Sequence, residues 1–201
     1  MYIEWLMKQE CPLFQGGGIY WRLYRRALVP APAFPCYVEL GRDEVSKLLN
    51  KSGAMFIRYA SNPCEEETEW WYVVCDTYNP AQLSSKIRSM INMGKRNCVV
   101  RRLDAEWIAN NGYECYLNAY NRYKNAKPIE KQVFRDMILH RTEDLFEYWG
   151  VFVGDNLAGY SQCIVDNNEV STSIIKYHPE YLKYYSSYAL INTLIEHYVV
   201  E

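Results

Sequence analysis

Residues 148–177, YWGVFVGDNLAGYSQCIVDNNEVSTSIIKY, decide the fold. Apolar residues recur at about every second position over 148–153, 157–165 and 170–177, a period typical of half-buried strands. Two short runs of Gly, Asp and Asn separate the three segments, and both have the composition of tight hairpin turns. The stretch therefore predicts an antiparallel meander of three strands.

The residues after the meander predict a closing helix. Pro179 ends the last strand, and Leu190, Ile191 and Leu194 then recur at helical spacing from about residue 187 onward. An amphipathic helix that follows a strand normally leads back to another strand. We therefore expect a domain that is incomplete at its C terminus.

Upstream of the meander, helices alternate with a strand. The pair Asn79-Pro80 is typical of a capped helix start, and Gly94 is typical of a helix end. A short strand is predicted at 98–103. Two further helices are predicted at 104–125 and 129–141, with a proline between them.

The first part of the chain gives a weaker pattern. It predicts helices at 19–28 and 43–50, the second of them capped by Asp43, and strands at 54–60 and 70–76. The chain as a whole therefore predicts an α/β fold.

Composition and charge exclude several classes of protein. The chain has 201 residues and a net charge of −2, so no global field would draw it to nucleic acid or to an anionic membrane. It lacks an apolar run long enough to span a bilayer, and its charged start is unlike a signal peptide, so we expect a cytoplasmic protein. Seven singly placed cysteines indicate reduced packing residues and no metal site.

One segment, residues 82–103, concentrates positive charge. It holds six Lys and Arg residues and no acidic residue, and Lys86, Arg88, Lys95 and Arg96 lie on or just past the predicted helix. Such a cluster could bind a phosphate or pyrophosphate, since Arg offers a two-donor fork and Lys a point charge. The alternative is a set of solvated cations that stabilise the helix C terminus, helped by the acidic residues at 65–69. An RNA-binding module that uses this helix and the many tyrosines is a further alternative.

Few side chains suggest catalysis. His140, His178 and His197 have no Cys, Asp or Glu at the spacing of a catalytic triad or a metal site. His178 follows the third strand beside Pro179, where a cleft is expected, and is a weak candidate for a catalytic residue. The pair Ser186-Ser187 suits a helix cap better than a nucleophile, because the sequence has no G-x-S-x-G elbow.

The order of elements from residue 79 onward resembles the GNAT acyltransferase fold. More closely, it resembles the Fem-type peptidoglycan bridge aminoacyltransferases, which duplicate that fold. Four stretches carry the resemblance: FIRYASNP (56–63), PAQLSSKIRSMINMGKRNCVV (80–100), WGVFVGDNLAGYSQCIV (149–165) and YSSYALINTLIEHYV (185–199). The resemblance implies a GNAT-like mixed sheet with flanking helices over 79–201, preceded by a partial first GNAT-like subdomain over 1–78.

The resemblance also implies a place for the substrates. In that superfamily donor and acceptor meet where two neighbouring strands splay apart, and the donor's phosphate faces the N terminus of the next helix. The matching place is 177–188, so Tyr177, Tyr184, Ser187 and Tyr188 are the implied substrate-binding residues, with backbone amides near Ser187 available to an oxyanion. Other tyrosines there, such as Tyr181, could stack on a base or sugar.

The donor implied by the resemblance is an aminoacyl-tRNA. Acetyl-CoA users commonly carry a glycine-containing Q/R-x-x-G-x-G/A loop at this place, and the stretch HPEYLKYYSSYAL (178–190) has no glycine. Acetyl-CoA therefore fits less well than a charged tRNA, and we expect no permanently bound cofactor.

We accordingly expect an acyl- or aminoacyl-transferase that acts on an amine, with cell-wall or surface-polysaccharide assembly as the setting that the resemblance implies. The alternative is a truncated or degenerate copy that keeps the fold, binds a ligand or partner and does not catalyse. An unpaired strand edge would favour a homodimer.

Overall fold

The computed structural model describes residues 1–60, 73–124, 126–141 and 144–200. The chain divides into two compact units, Met1–Val73 and Val74–Glu201, and each contains one four-stranded sheet with helices packed on it. The predicted α/β class is confirmed. Within the described ranges, every helix is too short or too polar to span a bilayer.

The first unit has a small sheet in the order β1-β2-β3-β4. The first three strands pair antiparallel, and β4 pairs parallel with β3 after a helical crossover. Trp21, Leu28, Val38 and Leu48 form its buried core. Its elements are α1 (Tyr2–Lys8), β1 (Leu13–Gly16), β2 (Ile19–Tyr24), β3 (Ala27–Pro30), α2 (Arg42–Ser52) and β4 (Phe56–Ile57).

The helix predicted at 19–28 is wrong, because these residues form the β2–β3 hairpin. Trp21 and Leu28 are fully buried in the same core, because Leu28 pairs with Leu23, which lies on the same face of β2 as Trp21. The turn is made by Arg25 and Arg26, and Arg25 has a φ of 57°, in the left-handed region that favours glycine. No turn-forming residue marks this hairpin in the sequence.

Two more predictions for this part of the chain need correction. Helix α2 is capped by Gly41, whose N–H donates to Glu44 Oε2 at 3.3 Å, and not by Asp43. Residues 73–76 of the strand predicted at 70–76 belong to no strand of the described residues, and Val73 is 93% exposed. Residues 70–72 and the acidic stretch 65–69 lie outside the described residues.

Replacing Arg25 by glycine should stabilise the first unit. A non-glycine residue in the left-handed region costs roughly 1–2 kcal/mol, so Arg25→Gly is expected to raise the free energy of unfolding by about 1 kcal/mol. Arg26→Gly is the matched control, because Arg26 has no positive φ and glycine there only adds freedom to the unfolded chain. Urea unfolding measures both, and an equal or lower stability for Arg25→Gly would contradict the strained turn.

The second unit contains the predicted meander. Its strands pair antiparallel in the order β5-β6-β7-β8, and α7 packs its buried Leu190 and Leu194 on one face of the sheet. The other face of β7 and β8 carries α5. Its elements are a 3-10 turn (Pro80–Gln82), α3 (Ser85–Asn97), β5 (Val99–Leu103), α4 (Ala105–Asn111), α5 (Tyr113–Tyr120), α6 (Lys131–Leu139), β6 (Phe146–Val153), β7 (Asn156–Asp166), β8 (Glu169–Tyr177), a second 3-10 turn (Pro179–Tyr184) and α7 (Ser186–Ile195), which continues as a π-helical turn (Glu196–Val200).

The helix α3 differs from its prediction at both ends. Asn79 caps only the 3-10 turn, and α3 itself begins after Ser84, whose Oγ accepts a hydrogen bond from the N–H of Ile87 at 3.3 Å. Gly94 does not end α3, which continues to Asn97. Gly94 is instead buried where α3 crosses α7, so its role is close packing.

A Cβ atom at residue 94 would lie 2.7 Å from the carbonyl oxygen of Tyr185 and 3.0 Å from the backbone nitrogen of Ala189. Both atoms belong to the first turn of α7 and its cap, and neither is a flexible side-chain end. The two helices can therefore approach this closely only with glycine at this position.

The expected splay between strands beside α7 is wrong for the described sheet. Strands β7 and β8 pair from Gly159 opposite Tyr177 to Asp166 opposite Glu169, with one bulge near Gln162. A Cβ atom on Gly159 would lie 2.5 Å from the Tyr177 ring, so this glycine lets the ring pack closely over the strand. The outer edge of β8 has no strand partner in the part of the chain that the structure describes, and the expected homodimer stays a prediction.

Gly94→Ala should weaken the second unit although alanine is the better helix former. The added methyl must push α3 away from α7, and overpacking of this kind costs typically 1–3 kcal/mol. Ser89→Ala, on an exposed position of the same helix, is the matched control and should be neutral or slightly stabilising. Thermal and urea unfolding compare the two variants. A Gly94→Ala protein as stable as Ser89→Ala would contradict the close crossing.

Candidate functional site

A groove of about 310 Å³ lies between α3 and α7 in the second unit. Ile87 and Ile91 lie one turn apart on α3, and Tyr188, Ile191 and Ile195 follow one face of α7. The segment of α7 from residue 187 to residue 195 is about 12 Å long, at 1.5 Å per residue. The α3/α7 groove is lined by Tyr78, Leu83, Ile87, Ile91, Ser187, Tyr188, Ile191, Asn192 and Ile195.

The polar side chains of the groove are bonded to one another. The Tyr78 hydroxyl donates to Oδ1 of Asn192 at 2.5 Å, and Asn192 is only 3% exposed. Next to it, Lys95 Nζ donates to both carboxylate oxygens of Glu196, at 2.7 and 2.9 Å. These four side chains join α3, α7 and the residues that precede the first 3-10 turn.

Two of these groups have shifted pKa values. Partial burial and then the Glu196 carboxylate raise the pKa of Tyr78, so its hydroxyl stays protonated and remains a donor. Partial burial acts to raise the pKa of Glu196, but hydrogen bonds from Lys95 and Asn192 outweigh it, and the pKa lies below its ordinary value. Glu196 is therefore a carboxylate at neutral pH.

The Glu196 contacts should make stability depend on pH. Because the folded state lowers the pKa of Glu196, its stabilisation is present above the ordinary glutamate pKa of about 4.3 and is lost as the pH falls through the lowered value. Lys95 and Glu196 are 44% and 38% exposed, so the loss in Glu196→Gln should be at most about 1 kcal/mol at pH 7. In urea unfolding, the difference in the free energy of unfolding between Glu196→Gln and the unchanged protein should shrink below pH 4. Exposed Glu169→Gln is the control, and a constant difference down to pH 3 would contradict the account.

The cations of the basic segment do not converge on one point. At 100° per residue, Lys86 lies about 180° around α3 from Lys95, and Arg88 and Lys95 share a side but lie about 10 Å apart along the axis. Arg96 Nε donates to the carbonyl of Asn92 at 3.3 Å. Lys86 is exposed and has no polar partner among the described residues.

Arg88 is used by the chain itself. Its Nη1 donates to the carbonyl oxygens of Ala81 and Leu83, at 3.0 and 2.6 Å. These carbonyls belong to the 3-10 turn before α3, so the guanidinium fixes the entry to the helix. Arg88 and Lys95 would therefore meet a phosphate with part of their donors already used within the chain.

His178 acts as a helix cap. Its Nδ1 accepts a hydrogen bond from the N–H of Glu180 at 3.4 Å, and its ring lies against Tyr181 with 5.0 Å between ring centres. A nitrogen that accepts this bond cannot at the same time accept a proton from a substrate. His178 could serve as a base only through its other ring nitrogen or after the cap opens.

The tyrosines near α7 divide between core and groove. Tyr177 and Tyr184 pack against the core under α7, and burial raises the pKa of Tyr177. Tyr188 lines the groove and lies 6.1 Å from Tyr185 between ring centres. Tyr185 precedes the helix with a φ of 61°, so a tyrosine takes the left-handed conformation that favours glycine.

The N terminus of α7 borders the groove. Ser186 is fully buried and its hydroxyl donates to the carbonyl of Tyr181 at 3.2 Å, whereas Ser187 and Tyr188 line the groove. The amides of a first helical turn have no acceptor within the helix and carry the positive end of its dipole. An apolar groove thus adjoins a short set of backbone donors.

The sequence did not single out Tyr78, Asn192 or Glu196. Tyr78 lies before the 3-10 turn and is far from α7 along the chain. A signal was present, since Asn192 interrupts the apolar run of α7 and Glu196 follows at i+4, where helical side chains meet. An interior asparagine of this kind usually has a hydrogen-bond partner elsewhere in the fold.

A second, smaller cavity of about 180 Å³ lies beside the end of β5 and the start of β6. Arg102 and Tyr198 both bond the Glu147 carboxylate that borders it, the first at 2.9 Å. Tyr198 in turn accepts a hydrogen bond from Trp149 Nε1 at 2.8 Å, which ties the end of the chain to β6. In the described ranges, no three His, Cys, Asp or Glu side chains are grouped so that they could hold a metal ion.

Comparisons with known proteins show the fold and little else. No protein-family model matches the chain, and no curated protein matches it significantly. Among solved structures, the chain is similar to the C-terminal domain of an Agrobacterium fabrum protein whose assignment as a lysylphosphatidylglycerol synthetase is provisional. The TM-score is 0.54 at 8% identity, over 97% of this chain and 69% of that one. The likeness therefore shows a shared fold.

A second solved structure is the ribosomal-protein-S18-alanine N-acetyltransferase of Escherichia coli. It has a TM-score of 0.41 and 16% identity over 50% of this chain, and the chain spans 59% of its length. A TM-score this low does not establish a shared fold by itself.

Proposed function

We propose that the second unit is an acyltransferase of the GNAT type, which moves an acyl or aminoacyl group from an activated donor to an amine. The observation that carries the proposal is the α3/α7 groove, an apolar channel that begins at the first turn of α7. The resemblance of the sequence to GNAT enzymes assigns the donor's phosphate to that same helix end.

The chemical step needs three things. The lone pair of the amine attacks the acyl carbonyl carbon, a tetrahedral oxyanion forms, and the C–S or C–O bond to the carrier breaks as the amine loses a proton. Backbone amides of the first turn of α7, at Ser187 and Tyr188, are the groups we assign to the oxyanion. The proton goes to solvent or to the free nitrogen of His178, since the other nitrogen holds the cap.

The lining of the groove favours a donor with an apolar acyl chain. Seven of its nine lining residues are Leu, Ile or Tyr, and the hydroxyl of one of them, Tyr78, is bonded to Oδ1 of Asn192. Each buried methylene contributes about 0.8 kcal/mol, so a chain of about eight carbons would bind far better than acetyl. An apolar aminoacyl group on tRNA is the donor that the Fem-type resemblance favours, and the groove suits it as well.

The acceptor follows from the same resemblance. Fem-type relatives would place the amine on a cell-wall or surface-polysaccharide precursor, and the second unit would then act on such a precursor. This part of the proposal rests on the sequence resemblance alone.

A second candidate function is ligand binding without catalysis. It is favoured by a specific set of contacts: β7 and β8 lie flush, His178 is occupied as a cap, and Arg88 and Lys95 are bonded within the chain. Such a protein would hold an apolar ligand in the α3/α7 groove and release it unchanged.

Thermal unfolding with a series of donors tests the proposal. The series is free coenzyme A, acetyl-CoA, octanoyl-CoA and leucyl-tRNA, each followed by a turnover assay with a small primary amine. Octanoyl-CoA or leucyl-tRNA should raise the melting temperature by several degrees, as expected for a ligand well above its dissociation constant, and acetyl-CoA should raise it much less.

A filled groove provides the control. Ile191→Trp puts a ring into the space at a lining position that is 36% exposed, and Val133→Trp makes the same change on exposed α6. The rise in melting temperature with octanoyl-CoA or leucyl-tRNA should be lost in Ile191→Trp and kept in Val133→Trp. Binding without any turnover would select the second candidate. Equal rises in melting temperature for all donors and in both variants would contradict donor binding in the α3/α7 groove.

A further inference from the structure

One end of the first unit's sheet combines exposed apolar side chains with arginines. The hairpin turn Arg25-Arg26 joins Tyr24 to Ala27, which are paired across β2 and β3. Ala27 pairs in turn with Phe56 on β4, and the N–H of Met55 donates to the carbonyl of Arg26 at 2.9 Å. The backbone therefore places the hairpin turn and the start of β4 side by side. We call this end, residues 22–26 with 55 and 56, the hairpin tip.

The apolar side chains of the hairpin tip are unusually exposed. Met55 is 65%, Phe56 53%, Tyr24 49% and Leu23 40% exposed. Single exposed apolar residues are common, but neighbouring ones in one small area indicate a surface that contacts something else. Leu, Met and Phe side chains offer no hydrogen bonds, so the contact they favour is with hydrocarbon.

Among the described residues, the cations of the hairpin tip have no carboxylate partner. The guanidinium carbons of Arg22 and Arg25 both lie 5.7 Å from the centre of the Tyr24 ring. Arg22 Nε is buried and has no hydrogen-bond partner in the described part of the chain, and no acidic residue occurs between Glu10 and Glu39 in the sequence. Two guanidinium groups that share one ring repel each other, and an anion between them removes that repulsion.

The anion that best fits this arrangement is a phosphate with hydrocarbon beneath it. Arginine binds phosphate through paired N–H donors, and the exposed rings and Met55 would enter the boundary between headgroups and acyl chains. RNA would use the arginines and Tyr24 but would leave Leu23, Met55 and Phe56 in water. The apolar residues thus favour a lipid surface over a nucleic acid.

We propose that the hairpin tip is a docking site for the surface of an anionic phospholipid bilayer. The arginines bind lipid phosphates, and the apolar side chains insert to a shallow depth. The proposal does not depend on the acyltransferase assignment, because that concerns residues of the second unit only.

Vesicle co-sedimentation of the full chain tests the proposal. The probes are vesicles of phosphatidylcholine alone and of phosphatidylcholine with phosphatidylglycerol, together with a 20-nucleotide single-stranded RNA in a separate titration. The unchanged protein should bind the anionic vesicles and not the neutral ones. Arg25→Gly with Arg26→Ser should weaken that binding about 25-fold, at about fivefold for each arginine near an anionic surface.

Two further double variants separate the apolar from the charged contribution. Met55→Ser with Phe56→Ser should still bind anionic vesicles at low salt. It should lose the binding that the unchanged protein keeps at 0.5 M salt, where charge is screened. Arg42→Ser with Lys47→Ser removes the same charge from α2 of the same unit and should bind like the unchanged protein. Circular dichroism checks that each variant is folded, and Arg25→Gly relieves strain in the turn.

The results of these binding measurements either support or contradict the bilayer proposal. Binding lost in the hairpin-tip variants and kept in the α2 variant supports the proposal. No vesicle binding, or equal losses in the α2 variant, overturns it. RNA binding that depends on Arg25 and Arg26, without vesicle binding, overturns it in favour of a nucleic-acid surface.

Discussion

The close crossing of α3 and α7 at Gly94 is the constraint on which the second unit depends. Because residue 94 has no Cβ, the backbone of α3 lies against the carbonyl of Tyr185 and the amide of Ala189. The α3/α7 groove is lined by isoleucines of both helices, Ile87 and Ile91 on α3 and Ile191 and Ile195 on α7. The missing side chain at residue 94 therefore sets how closely α3 packs on α7, the two helices that border the groove.

The polar groups around the groove give it a definite chemical character. Tyr78 and Asn192 bond each other, Lys95 bonds Glu196, and Arg88 fixes the turn before α3. With these bonds made, the groove presents mainly apolar walls and a short set of helix amides. A ligand with an apolar chain and a polar, activated end matches this surface better than a purely anionic one.

The sequence predicted the second unit better than the first. The meander at 148–177 shows the period of two of strands, and the apolar face of α7 shows a helical period. Both are present in the structure, as β6, β7, β8 and α7. The hairpin at Arg25 was missed because an arginine adopts the left-handed conformation in its turn, and arginine does not predict turns. The site was only partly predictable: Ser187 and Tyr188 border the groove, but the bonds of Arg88, Lys95 and His178 depend on tertiary contacts that no local pattern encodes.

Isotope-filtered nuclear Overhauser measurements on protein labelled at isoleucine methyl groups test the central claim most directly. With octanoyl-CoA bound, the account predicts contacts from the alkyl chain to the methyls of Ile87, Ile91 and Ile191, which line the groove, and none to Ile57 of the first unit. Contacts confined to other isoleucines, or a bound chain that touches none of these three, would contradict it.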